Sequence, residues 1–322
     1  MTVRFLSRKL LGSLATLAFV LVFNFFLFRV ALGDPVANLF RGRNVPQARL
    51  DQMRVDFGLD KSPPEQFVLY LRETANLNFG LSYQTRQPVW DEITGKIWPT
   101  VLLVGLSALL SAVFGVLGGM IAAWRRGSKA DYSITSTTML FYSMPDFWLG
   151  MLLLVGFAVA LPWFPVGGSS DIASSQTGLA AVVDGLYHLA LPCLTLTLAY
   201  LGEYAIIMRS SLLEVMGEDY LHVARAKGLR EVQVRNRHAV PNALLPVVTL
   251  IAINLGFVLS GAIAVETVFS WPGLGKATSD AIRGPDLPML QGLFLVFSAA
   301  VIVFNLVADL AYAALDPRVR PE

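Results

Sequence analysis

Long apolar runs separated by polar stretches of unequal length dominate the chain. The first run extends from Leu10 to about Leu32. Five more follow at Val101–Trp124, Ile134 to about Leu161, Tyr187 to about Met208, Ala243 to about Ala264, and Met289 to about Leu315. A helix crosses the hydrocarbon core with about 20 apolar residues, so the pattern predicts an all-α integral membrane protein with six transmembrane helices. Pro145-Asp146 interrupts the third run, either as a plain proline kink or as a break that lines a substrate pathway. Gly115 and Gly119 stand four apart in the second run, a spacing that lets another helix approach closely.

The polar stretches divide the chain further. Residues 1–32 read as an N-terminal helix, 33–96 as a small external lobe, 97–315 as the main transmembrane domain, and 316–322 as a cytosolic tail. The first run resembles a secretory signal in having Arg4, Arg8 and Lys9 before it. A signal's apolar region spans only about 7–15 residues, so a retained helix is expected. Within the lobe, Gly33-Asp34-Pro35, Gly58-Leu59-Asp60 and Ser62-Pro63-Pro64 punctuate turns, with helical patterns over Pro46–Phe57 and Glu65–Leu77 between them. The stretch from Glu214 to Pro246 is far longer than the usual connection of about four to six residues. In it Tyr220, Val223, Ala224 and Lys227 recur at helical spacing, Gly228 stops that helix, and a second pattern runs from Arg230 toward His238.

Charge fixes an orientation. Lys and Arg gather before the first run, at Arg125, Arg126 and Lys129, along Arg209–Arg237, and at Arg318 and Arg320, whereas the loops 162–185 and 266–288 hold only Lys276 and Arg283. Positively charged loops stay in the cytosol, so both termini and the 209–242 loop are expected there. The lobe's own cations do not conflict, because loops longer than about 60 residues translocate regardless of charge. With 55% hydrophobic and 15% charged residues and a mean hydropathy of +0.58, a soluble domain is excluded. A net charge of +2 gives no reason to expect nucleic acid, and a single cysteine, Cys193, excludes an intrachain disulfide.

Catalytic chemistry is not apparent. Gly273-Leu274-Gly275-Lys276 looks like part of a phosphate-binding loop, but Ala277 follows the lysine and no glycine precedes at the required spacing. His188, His222 and His238 are scattered without metal-ligand spacing. No catalytic, cofactor or metal site is expected. Ionisable residues inside the spans are few: Arg29 and Asp309 near predicted ends, and Glu203, less than two turns from Arg209 and expected to pair with it. That is too few for a proton relay. A pathway-forming subunit driven by a partner is therefore favoured, the alternative being a self-sufficient channel or secondary transporter.

Ala224-Arg225-Ala226-Lys227-Gly228-Leu229, with Asp219-Tyr220 before it and Arg237-His238-Ala239 and Asn242-Ala243-Leu244-Leu245-Pro246 after it, resembles the cytosolic loop of ABC importer permeases. The similarity is strongest to the dipeptide, oligopeptide and nickel permease family, in its first-permease branch. Phe79-Gly80-Leu81-Ser82 and Pro88-Val89 are similar to that branch's lobe, and Pro145-Asp146-Phe147-Trp148-Leu149-Gly150 to its third-span motif. So is Glu266-Thr267-Val268-Phe269-Ser270-Trp271-Pro272-Gly273, followed by Asp286, Pro288, Gln291 and Gly292. Their order and spacing together carry the resemblance.

The resemblance implies the transmembrane domain of a type I ABC importer in a bacterial inner membrane. Its partners would be a second permease, two cytosolic ATPases and an external solute-binding protein. It further implies that Asp219, Tyr220, Ala224, Arg225, Ala226, Lys227, Gly228, Leu229 and Pro241 couple the chain to an ATPase, with small Ala224 and Gly228 entering the partner's cleft and Arg225 and Lys227 pairing at its rim. Pro145, Asp146, Glu266, Phe269, Trp271, Pro272 and Gly273 become candidates for the pathway or an external gate. Peptides are the implied substrate class, although nickel chelates, opines, sugars and glutathione share the permease pattern. Three positions depart from it: His222-Val223 replace Glu-Ala before Ala224, Asn78 replaces an acidic residue, and Gly284-Pro285 replaces a basic one.

Overall fold

The computed structural model describes residues 3–31, 46–56, 60–170, 177–255 and 262–315. Among these the protein is helical without strands, apart from an isolated antiparallel bridge between Leu81 and Pro88. The helices are α1 (Val3–Phe25, continued by a π-helical turn Phe26–Ala31), α2 (Gln47–Asp56), α3 (Pro63–Ala75), α4 (Val89–Trp124), α5 (Lys129–Ser143) and α6 (Asp146–Leu154, continued by a π-helical turn Val155–Ala160). They continue with α7 (Leu179–Val215), α8 (Asp219–Ala226), α9 (Glu231–Gln233, continued by a π-helical turn Val234–Ala239), α10 (Val240–Ala243), α11 (Leu245–Leu255), α12 (Ile263–Val268), α13 (Leu274–Arg283) and α14 (Leu287–Leu315).

Four helices contain stretches long and apolar enough to cross a membrane: Ser7–Arg29, Val89–Trp124, Leu179–Val215 and Leu287–Val307. A fifth crossing is supplied if α5 and α6 count as one broken span. The remaining expected span, 243–264, is helical over α10 and α11 and then enters residues outside those described. The turn at Gly33-Asp34-Pro35, most of that at Gly58-Leu59-Asp60, and the tail 316–322 lie outside them as well.

Two differences from the sequence pattern have physical causes. Helix α4 begins at Val89, twelve residues before the apolar run, because its first turns are amphipathic: Val89 and Ile93 are buried while Asp91 and Thr94 face water. Helix α7 is 37 residues long. At about 1.5 Å per residue it is far longer than the roughly 30 Å hydrocarbon core, so its ends extend beyond the apolar run Tyr187–Met208.

The chain forms two compact units, residues 1–98 with 273–322, and residues 99–272. In the first, α1 packs along α14, and Phe25, Tyr70 and Leu295 form a small core with Phe67 and Phe79. Buried Asn24 links three elements of this unit, accepting from the Tyr70 hydroxyl at 3.1 Å and donating to the Gln291 carbonyl at 3.3 Å. A hairpin turn leads into α4, closed by Val89 N–H to Gly80 O at 3.0 Å and Ser82 N–H to Gln87 O at 2.9 Å. Asp286 anchors it: one carboxylate oxygen accepts from the Ser82 hydroxyl at 2.5 Å, and the other caps α14 at Met289 N–H, 3.2 Å away.

In the second unit, glycines set the packing of α4, α5 and α7. A Cβ on Gly115 would come within 2.6 Å of Tyr204 Cβ and 2.8 Å of Leu201 O, and one on Gly119 would strike the Ala205 carbonyl. The GxxxG spacing thus marks the face on which α4 meets α7. Gly202 provides the same relief opposite Thr138 O and Tyr142 Cβ, each 2.6 Å from an added Cβ. Arg209 at the polar end of α7 binds Asp131 in the first turn of α5 through two nitrogens, at 2.7 and 2.9 Å. Arg209 therefore does not take the expected partner: Glu203 instead accepts from Asn254 Nδ2 at 3.4 Å, because Asp131 offers both oxygens to the guanidinium fork.

Candidate functional site: a braced helix and turn between α7 and α11

Helix α8 follows α7 after a turn at Met216–Glu218 and ends at Gly228, whose φ of +78° is the left-handed conformation favoured by glycine. Gly228 N–H donates to Arg225 O at 2.9 Å and Leu229 N–H to Ala224 O at 3.4 Å. These two bonds form a Schellman stop. Gly228 is thus required first by backbone geometry, and a Cβ there would meet nothing within 4 Å.

One face of α8 is buried. Leu221 is inaccessible and Ala224 nearly so, packed with Met208, Leu212, Val234, Ala239, Ala243 and Ala123. Burying a side chain such as Leu221 contributes about 1.5–3 kcal/mol, which holds the short helix onto the ends of α4 and α7. Polar bonds brace it from the other direction. Asn242 Nδ2 donates to the Tyr220 hydroxyl at 3.0 Å and to His238 O at 2.8 Å. His238 closes a π-helical turn, whose wide i→i+5 spacing leaves carbonyls for such side-chain bonds. Arg225 Nε pairs with Glu231 Oε1 at 3.0 Å across the Gly228 stop, and Arg235 lies over the Trp124 ring at 5.9 Å.

These contacts separate the residues singled out from the sequence. Ala224 is small because it enters the chain's own core, and Arg225 is engaged by Glu231. Asp219, Tyr220, Ala226, Lys227, Gly228, Leu229 and Pro241 are exposed. Val223, at the helical spacing read from the sequence, and Val232, which that spacing did not single out, add apolar surface at 53% and 58% exposure. Most of the exposed set lies on α8 and around the Schellman stop, above the buried face of α8.

The second candidate group surrounds the break in the third span. Helix α5 ends at Ser143 and α6 starts at Asp146, turned by 101°, so Pro145-Asp146 is a full break rather than a kink. Pro145 is exposed and Asp146 half-buried, its carboxylate accepting from Phe147 N–H at 2.7 Å. Glu266, Phe269 and Trp271 are buried at 0%, 2% and 3% exposure. The Thr100 hydroxyl donates to Glu266 at 2.9 Å, and Trp271 Nε1 donates to Pro99 O at 2.9 Å. Gly150 of α6 lies against the Phe269 ring, and Gly168 N–H donates to Phe269 O at 3.0 Å. In this conformation Phe269 packs on α6, and Glu266 and Trp271 are tied to α4 at Thr100 and Pro99. Ser270 carries the strain of the bend, at φ +49° without being glycine. Pro272 is half-buried at the end of this unit, and Gly273 belongs to the other, as the buried N-cap of α13. Lys276 in α13 pairs with Asp280 at 2.5 Å.

The described residues thus combine helices long and apolar enough to cross a membrane, a broken helix pair and a short helix packed onto the ends of α4 and α7. The chain belongs to the family of binding-protein-dependent transport system inner membrane components, whose pattern matches residues 115–321, and residues 2–104 match the N-terminal part of such membrane components. It is a multi-pass inner-membrane permease.

Similar proteins include a di/tripeptide transport system permease protein, DppB, of Pseudomonas aeruginosa, 38% identical over 332 aligned positions that cover 98% of each chain. A probable peptide ABC transporter permease, y4tP, of Sinorhizobium fredii is 35% identical over 98% of this chain and 99% of its own. The glutathione transport system permease GsiC of Escherichia coli is 37% identical over 97% of each.

Proposed function

We propose that this permease carries short peptides into the cell as one half of a pathway formed with a second permease, powered by two cytosolic ATPases and supplied by an external solute-binding protein. Both termini and the α8 face lie in the cytosol, in keeping with the distribution of Lys and Arg. The observation that carries the reading is the exposed rim of the Gly228 stop on a buried, polar-braced base, in a chain of this transport family. Exposure offers an ATPase something to grip, and bracing passes its displacement into α7 and α11 instead of letting the loop bend. Peptide as cargo is supported by the names of the similar permeases. The residues around Pro145-Asp146, Glu266, Phe269 and Trp271 then serve as a gate whose closed form is the braced arrangement.

The test is a pair of substitutions. Because a Cβ at Gly228 meets open space, Gly228→Ala and Gly228→Trp share the backbone strain and differ in the bulk offered to a partner. Gly228→Ala should retain most ATP-driven uptake. Gly228→Trp should remain in the membrane but lose both uptake and substrate-stimulated ATP hydrolysis in the assembled transporter. Retained coupling in Gly228→Trp would contradict the assignment.

A further inference from the structure

Within the first unit, the end of the first span, α3, the Gly80 hairpin and the start of α14 line a cavity of about 390 Å³ that opens to the surface. That volume lies within the roughly 300–1,000 Å³ of small-ligand pockets. Its chemistry is not that of an apolar packing defect. Arg29 from the π-helical turn that ends the first span and Lys61 from the approach to α3 supply two cations, and Glu73 from the last turn of α3 supplies a carboxylate. Gln66 and Tyr83 add neutral polar groups, while Phe28, Leu69 and Phe79 supply an apolar wall. On α3 the lining residues Gln66, Leu69, Tyr70, Glu73 and Thr74 recur at helical spacing, so one complete face of this helix is given to the cavity.

Several of these groups are already oriented. Asn78 Nδ2 donates to Glu73 Oε2 at 2.5 Å and Asn78 Oδ1 accepts from Gly80 N–H at 3.2 Å, which aligns the carboxylate with the hairpin. Tyr70 is held by Asn24 at 3.1 Å.

We propose that this cavity binds a small zwitterion, its anionic group at Arg29 and Lys61 and its primary ammonium at Glu73. Two compounds share that chemistry: a short free peptide and the headgroup of phosphatidylethanolamine. The inference deepens the peptide reading above, since it would give the permease its own contact with cargo, on the side proposed to be external.

The test uses the purified full-length chain in nanodiscs of phosphatidylcholine alone, with labelled dialanine as the probe. Saturable binding is expected. Arg29→Gln and Glu73→Gln should weaken it by about tenfold or more, the loss of one charge-assisted contact each, and Lys61→Gln, at an exposed position, should weaken it less. N-acetyl-dialanine should bind weakly and equally to the unaltered chain and to Glu73→Gln, an equality that misfolding would not produce. Nanodiscs containing phosphatidylethanolamine distinguish the sources. Undiminished dialanine binding assigns the site to peptide. Absence of dialanine binding, together with retention of phosphatidylethanolamine that Arg29→Gln and Glu73→Gln abolish, assigns it to lipid. Binding of neither, or binding indifferent to Arg29 and Glu73, overturns the proposal. ATP-driven uptake by the assembled transporter is measured separately, so failure of the cavity leaves the transport reading standing.

Discussion

Asp286 joins two elements of the first unit through one buried carboxylate, tying the Ser82 hairpin turn to the first turn of α14. Asp286→Ala should destabilise the protein by about 2–4 kcal/mol, the sum of a lost cap and a lost charge-assisted bond, read as a lower thermal midpoint in detergent. Tyr70 gives a pH signature in the same unit. Burial pushes its phenol up to about 12 from an ordinary value of 10.0, so the folded state favours the neutral hydroxyl that donates to Asn24. The associated stability is complete below pH 10 and is lost as pH rises toward 12. Tyr70→Phe should therefore show a shallower alkaline loss of stability than the unaltered chain over that window, and an unchanged profile would contradict this account. At this scale the sequence was only partly legible. Asp286 and Ser82 were visible as motif members, but nothing in their separation of some two hundred positions announced that they touch. Glu203 shows the converse: its nearness to Arg209 along the helix suggested a pair, and a better-placed acid 78 positions away took the arginine.

At the scale of elements, apolar runs and punctuation were reliable wherever one residue type imposes local geometry. Gly228 stops α8 because a positive φ is needed there, and Gly115 with Gly119 marks a close helix contact because a Cβ has no room. Gly119→Leu should disrupt the α4 and α7 pair, at about 1–3 kcal/mol or more for overpacking, and reduce the folded protein recovered from membranes; normal recovery and thermal stability would show that the interface has slack. Three features escaped the pattern. The early start of α4 was hidden because amphipathic helix carries no apolar run. The choice between kink and break at Pro145-Asp146 depended on what α6 packs against, here Phe269 through Gly150. Ala224 looked like a surface adaptation to a partner and is a core position, since a small residue satisfies either demand and spacing alone does not tell which.

Across the molecule, the described residues form two compact units, a division that the alternation of apolar and polar stretches did not reveal, because the first unit assembles the beginning of the chain with its end. The second unit contains α8 and its return, packed with α7 and the C-terminal part of α4, so under the proposed coupling a push on the Gly228 rim would act on that packed body. That continuity is the physical basis for reading the chain as a pathway driven from outside itself, and it is tested most directly by peptide uptake into proteoliposomes. The account predicts uptake only when the second permease, the ATPases, the binding protein and ATP are all present, and its loss in Gly228→Trp. Uptake of the same peptide by this chain alone, without ATP, would contradict it.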